Sequence, residues 1–262
     1  MEFLIIENNP LRVKKFEQLG INTIFIDLEK LGKQDRQGHI DSVKSNHTYS
    51  DIENVKNVTT KAKVLVRIDP INKNSKEQIN KVIDKGADSI MLPYFTKFSE
   101  LEEFVNIVNN RIEILPLFEH FEALKFIEKA VVELGLKQLY FGLNDLSLSL
   151  DLKFMFQVLS EEYISNGTKI CRERNVSFGI GGIGEYSNGI IPGKVVIKEY
   201  SRLGATSTII SRGLVKIFDQ NPHLFEKNLN DIKIDYYLNK HNTPLLIENL
   251  NTLKDLTKNY LK

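Results

Sequence analysis

Val64-Leu65-Val66-Arg67-Ile68-Asp69, an amphipathic stretch at 76–85, the turn Gly86-Ala87-Asp88 and the run Ser89-Ile90-Met91-Leu92-Pro93 make one strand–helix–strand unit. Its apolar runs are short, rich in β-branched residues and nearly continuous. They do not alternate with polar residues, which is the signature of strands covered on both faces in a parallel sheet. Working outward, the same unit repeats. Strand-like runs stand at 3–7, 23–28, 64–69, 89–93, 112–118, 138–143, 177–180 and 207–211, with helix-like segments at 76–85, 100–109, 121–134, 154–174 and 194–203. Eight such runs in about 250 residues is the format of an α/β (β/α)8 TIM barrel. A doubly wound open sheet is the rival, because closure leaves no mark on a single sequence.

One turn recurs: an apolar helix end, a glycine, then a strand, in Leu19-Gly20-Ile21, Lys85-Gly86-Ala87, Leu134-Gly135-Leu136 and Leu203-Gly204-Ala205. Glycine there supplies the left-handed residue that stops the helix. No Gly/Ser- or Pro-rich linker interrupts residues 1–213, so these are expected to form the barrel domain. Residues 214–262 are expected to form a C-terminal helical arm, broken at Asn221-Pro222 and Thr243-Pro244. Leu246, Leu250, Leu253, Thr257 and Tyr260 fall at helical spacing, with Thr243 read as the cap. The arm packs either on its own barrel or on a neighbouring subunit.

Composition narrows the function. The 262 residues carry 35 Lys+Arg and 34 Asp+Glu, a formal charge of +1, which speaks against a nucleic-acid or anionic-membrane partner. The single cysteine, Cys171, excludes an internal disulfide and a thiolate-rich metal site. The first residues lack a basic leader, and no run of about 18 apolar residues occurs. A cytoplasmic location is the expectation.

Barrel enzymes build their sites at the C-terminal ends of strands. The runs close on Asp27-Leu28-Glu29, Arg67-Ile68-Asp69, Glu119-His120, Asn144-Asp145, the glycine run 179–184 and Ser211. Alternation puts Asp27 and Glu29 on one face, Glu119 with Leu115 and Leu117, and Asp145 with Phe141 and Leu143. Carboxylates gathered in a dry mouth repel one another, and a cation removes that cost. An all-oxygen donor set suits Mg²⁺ or Mn²⁺ better than zinc. Each acid alone serves equally well as a helix cap. Arg67 can take a carboxylate in a two-pronged pair or steady an enolate oxygen, or it can simply pair with an acid such as Glu119. Gly181, Gly182 and Ser211 offer backbone and hydroxyl groups to an anion, with a ligand-free turn as the alternative. The late glycine run lacks the helix start of a dinucleotide site. His47, in the long connection after the second strand, can reach the mouth; His120 follows Glu119 directly, and alternation turns it away unless the strand has already ended. The alternative for each is a satisfied surface or supporting histidine. No lysine stands where a Schiff base would form.

In order along the chain, Ile24-Phe25-Ile26-Asp27-Leu28-Glu29, Val64-Leu65-Val66-Arg67, the run 86–93, Glu119 and Gly142-Leu143-Asn144-Asp145-Leu146 resemble the HpcH/HpaI aldolase and citrate lyase beta-subunit family. The resemblance implies a (β/α)8 barrel, homo-oligomeric with C-terminal helices exchanged between subunits. It implies Mg²⁺ or Mn²⁺ on Glu119 and Asp145, and a pyruvate-like keto acid on Arg67. It also implies carbon–carbon bond cleavage or formation through an enolate, with an aldehyde as second partner. Asp27 and Glu29 would orient water or a base. Aldolases of the family place a histidine after the Asp-x-Glu; here Lys30 stands there, which leaves His47, His120 or water for proton transfer. An acyl-coenzyme A lyase and a barrel that only binds a ligand are the alternatives.

Overall fold

The computed structural model describes residues 1–32 and 45–262. They form two compact units, Phe3–Tyr140 and Met1–Glu2 with Phe141–Lys262. The fold is α/β, with the parallel strand–helix succession of a (β/α)8 barrel and a C-terminal helical extension.

In the first unit the strands β1 (Glu2–Ile6), β2 (Thr23–Asp27), β3 (Lys63–Arg67), β4 (Ser89–Met91) and β5 (Glu113–Ile114) lie in the order β5-β4-β3-β2-β1, all parallel. Every residue of β2 is buried, as a strand covered on both faces requires. The register sets Asp27 opposite Arg67. β1 reaches only to Ile6, opposite Phe25, so β2 runs two residues past its neighbour on that side.

The run expected at 112–118 is two strands, β5 and β6 (Leu117–Phe118), separated by Leu115-Pro116. Pro116 has no N–H to continue the ladder, although its carbonyl accepts Tyr140 N–H of β7 (Gln138–Phe141) at 2.9 Å. The helix expected at 121–134 is likewise two pieces, Phe121–Leu124 and Ile127–Glu133.

The second unit contains the parallel pair β8 (Ser177–Ile180) and β9 (Ser207–Ile209). The Glu2 N–H donates to the Thr206 carbonyl, and the Gly181 N–H to that of Phe141. The helix expected at 154–174 breaks into Gln157–Ser160 and Ser165–Glu173, with Glu162 left-handed between them at φ 61°. The four glycine stops hold: Gly20, Gly86, Gly135 and Gly204 all have positive φ.

The C-terminal helices Pro222–Asn239 and Thr243–Tyr260 are capped by Asn221 and Asn242. Asn242, not Thr243, is the cap of the last helix, because its side-chain oxygen accepts the Leu245 N–H. Leu246, Leu250, Leu253 and Thr257 are buried as the spacing predicts, while Tyr260 is half exposed and lies against Phe154. Asn249 donates to the Val195 carbonyl, so this helix packs on Gly193–Leu203 of its own chain.

Candidate active site

The strand-end residues of the first unit converge on Arg67. Its Nε donates to Asp27 Oδ1 at 3.0 Å and its Nη2 to Asp27 Oδ2 at 2.8 Å, a two-pronged pair. Glu29 Oε2 stands 3.2 Å from the same Nε. This follows from register, since facing residues on adjacent parallel strands carry their side chains to the same side of the sheet. Asp27 is 1 % exposed and its carboxylate is heavily committed. Besides Arg67 it accepts the Glu29 N–H at Oδ1 and the Ser45 hydroxyl at Oδ2. Four donors fill the lone-pair sites of a carboxylate. Asp27 is therefore an orienting group for Arg67 and is poorly suited to take a proton.

Burial works to lower the Arg67 pKa, but the charges of Asp27 and Glu29, the hydrogen bond to Asp27 and the charge of Glu119 outweigh it and raise it. The guanidinium is thus permanently charged. Its Nη1 has no hydrogen-bond partner among the described residues. The Nη1 edge, with the second Nη2 proton, can receive a ligand carboxylate end-on.

Glu119 follows β6 directly and is buried; its Oε1 accepts the Tyr94 N–H at 3.0 Å. Tyr94 lies just past β4 with φ at 42°, a left-handed backbone that is costly for a side chain of this size. That conformation accompanies the aim of its N–H at Glu119. Asp27, Glu29 and Glu119 set three carboxylates around one guanidinium, an excess of two negative charges.

His47 is buried, and its Nδ1 accepts the Asp27 N–H at 3.0 Å. His120 is the N-cap of Phe121–Leu124, with Nδ1 accepting the Glu122 N–H at 3.2 Å. Burial lowers its pKa, opposed by Glu122 and aided by Lys125. The Lys30 side chain is exposed, while its N–H and that of Leu31 are held by Asp69.

In the second unit Asp145 is buried, but it does not sit on a strand. The helix Leu143–Ser149 begins at once after Gly142, which places Asp145 in its first turn, where a carboxylate is favoured by the helix dipole. Strand alternation therefore does not apply to it. The Gly181 N–H is spent in the ladder to Phe141, and the Tyr200 hydroxyl lies 2.9 Å from the carbonyls of both Gly181 and Gly182. Gly182 has φ 41°, and Ser211 Oγ caps Arg212–Gln220 through the Leu214 N–H. Ser211 thus caps a helix, and the Gly181 amide is not available to an anion.

Asp69, which the sequence marks at the end of the third strand, joins the site through the Lys30 and Leu31 N–H groups. Ser45 and Tyr94 also join it; of these two only Ser45 carried a signal, two residues before His47. Among the described residues no group of three or more His, Cys, Asp or Glu side chains gathers as a metal cage, and no helix is long and apolar enough to cross a membrane.

Fold and site together define a protein of the (β/α)8 class with an acidic strand-end site around one arginine. No family model and no curated protein sequence matches the chain. Solved structures match it well in shape. An HpcH/HpaI aldolase from Desulfitobacterium hafniense DCB-2 has a TM-score of 0.63 at 16% identity, over 84% of this chain and 90% of that one. An HpcH/HpaI aldolase/citrate lyase family protein from Burkholderia cenocepacia J2315 gives 0.64 at 12%, over 87% and 93%. The citrate synthase SbnG gives 0.62 at 16%, over 88% and 94%. At these identities the likeness is one of fold.

Proposed function

We propose that this protein is a divalent-metal-dependent carbon–carbon lyase or aldolase of the HpcH/HpaI kind, acting on a 2-keto acid such as pyruvate, with an aldehyde as second partner. The observation that carries the reading is the anchored Arg67: two acids hold one edge of the guanidinium and leave the Nη1 edge for a substrate carboxylate. The excess of negative charge around it supports a bound cation, since a keto-acid carboxylate would add to the repulsion.

Glu119 and Asp145, both buried, are the proposed ligands, Mg²⁺ or Mn²⁺ the proposed ion. Their assignment to one ion comes from the sequence motifs. Two carboxylates with water and substrate oxygens are an ordinary Mg²⁺ environment, so the lack of a larger cage among the described residues is compatible with it. The cation supplies Lewis acidity for charge developing on the keto oxygen. Arg67 binds and orients the carboxylate, Asp27 and Glu29 hold Arg67, and Tyr94 holds Glu119. This preorganised set would favour the negative charge that develops on the enolate oxygen over the neutral keto group it comes from.

The test is deuterium incorporation into the pyruvate methyl group in D₂O, read by mass spectrometry with Mg²⁺ or Mn²⁺ and with chelator. Metal-dependent exchange is expected, abolished by Asp145→Asn and lost with pyruvate binding in Arg67→Ala. No exchange with either ion, in a protein that binds pyruvate at Arg67, would reduce the function to ligand binding. No metal binding at all would remove the reading.

A further inference from the structure

We infer that His47 is a positioning residue of the keto-acid site, acting through the Asp27 backbone to hold the Arg67 guanidinium in register with its substrate; this rests on the function proposed above. The ladder between β1 and β2 stops short of Asp27. The Leu28 N–H donates to the Arg67 carbonyl, so the Asp27 N–H points away from β3 and towards the β1 side. On that side β1 ends at Ile6, opposite Phe25, and the last bond is Glu7 N–H to the Phe25 carbonyl. The Asp27 N–H therefore has no strand to meet at a depth where a bare donor is costly.

His47 Nδ1 fills the missing position at 3.0 Å. Its own segment is fixed on both sides. Ser45 Oγ donates to Asp27 Oδ2, and the Thr48 N–H and hydroxyl both donate to Asp51 Oδ2 at the start of the helix Tyr49–Lys56. The residue that binds Arg67 by its side chain is thus pinned by its backbone N–H as well. His47, Asp27 and Arg67 form a relay of position, each fixing the next. The bond also assigns the tautomer: with Nδ1 accepting, the neutral ring carries its proton on Nε2. A histidine orienting the site from this loop differs from one placed directly after the Asp-x-Glu, where this chain has Lys30.

Three variants separate this role from simple capping and from proton transfer. Asparagine places its side-chain oxygen where His47 Nδ1 stands, glutamine where Nε2 stands, and alanine offers neither. Pyruvate affinity is measured by calorimetry with Mg²⁺ present, and methyl exchange is followed at saturating pyruvate. His47→Asn is expected to stay within about threefold of wild type in both. His47→Gln and His47→Ala are expected to weaken pyruvate binding about tenfold, roughly 1.4 kcal/mol. Wild-type affinity in His47→Gln and His47→Ala would overturn the inference and leave His47 a cap. Normal binding but lost exchange in His47→Asn would overturn it in favour of a proton carrier. A wild-type protein that binds no keto acid would overturn the functional reading itself, and that is seen before any substitution is made.

Discussion

Replacing Asp27 by asparagine probes the centre of the site with the least change of shape. Asp27 receives Nε and Nη2 of Arg67, the Glu29 N–H and the Ser45 hydroxyl. In Asp27→Asn one oxygen still accepts, but the new NH₂ group faces a donor. Breaking a buried ion pair from one side costs about 3–5 kcal/mol. Here Glu29 retains a hold on Nε and the Arg67 side chain is 15% exposed, so the lower end, about 3 kcal/mol, is expected. For a chain of this size that corresponds to a fall in Tm of roughly 6–12 °C. The assay is thermal unfolding by circular dichroism at pH 7, paired with pyruvate calorimetry. Affinity should fall with stability, because Arg67 loses the partner that aims it. A stability loss below about 1 kcal/mol together with unchanged affinity would refute the orienting role of Asp27.

Two further outcomes concern the frame. Glu17 accepts the Thr60, Lys61 and Ala62 N–H groups and the Thr60 hydroxyl; burial pushes its carboxyl up, but these bonds outweigh it and bring the pKa from 4.5 to about 2. Because the folded value is the lower one, the contribution is present above about pH 4.5 and lost as pH falls towards 2. Discounted for solvent screening, Glu17→Gln should cost about 1–2 kcal/mol in urea unfolding at pH 7, and the gap to wild type should close in acid; a constant gap would exclude the linkage. Burial pushes the Cys171 thiol up to about 12, only partly offset by Arg172, so a thiol reagent should label it slowly in the native protein and rapidly in urea. Fast native labelling would contradict its burial.

The fold was readable where its causes are local. The apolar run at 23–28 is β2, and the glycines at 20, 86, 135 and 204 stop helices because each adopts a backbone that other residues resist. The sequence misleads where a single residue breaks a longer pattern. Pro116 divides the strand-like run 112–118, and Glu162 turns left-handed inside an amphipathic one. Asp145 was legible as an acid near a strand end but not as a residue of a helical first turn, since Gly142 ends β7 without any change of hydrophobic period.

Within the site, composition and spacing were enough to mark Asp27, Glu29, Arg67 and Glu119 as strand-end polar residues, because a buried apolar strand can expose such groups only at its mouth. Which acid would hold Arg67 was not there to read. An acid such as Glu119 was one alternative among several, and it is Asp27, 40 positions away, that takes the guanidinium because the register places it directly opposite. Nor did the sequence show that His47 would replace an absent strand, or that Tyr94 would turn its N–H to Glu119. Strand and helix tendencies are settled by neighbours along the chain, so the sequence by itself determined the succession of elements and the residues at their ends. Hydrogen-bond partners are settled by neighbours across the sheet, by where each strand stops and how each loop returns, and only the tertiary structure decided those.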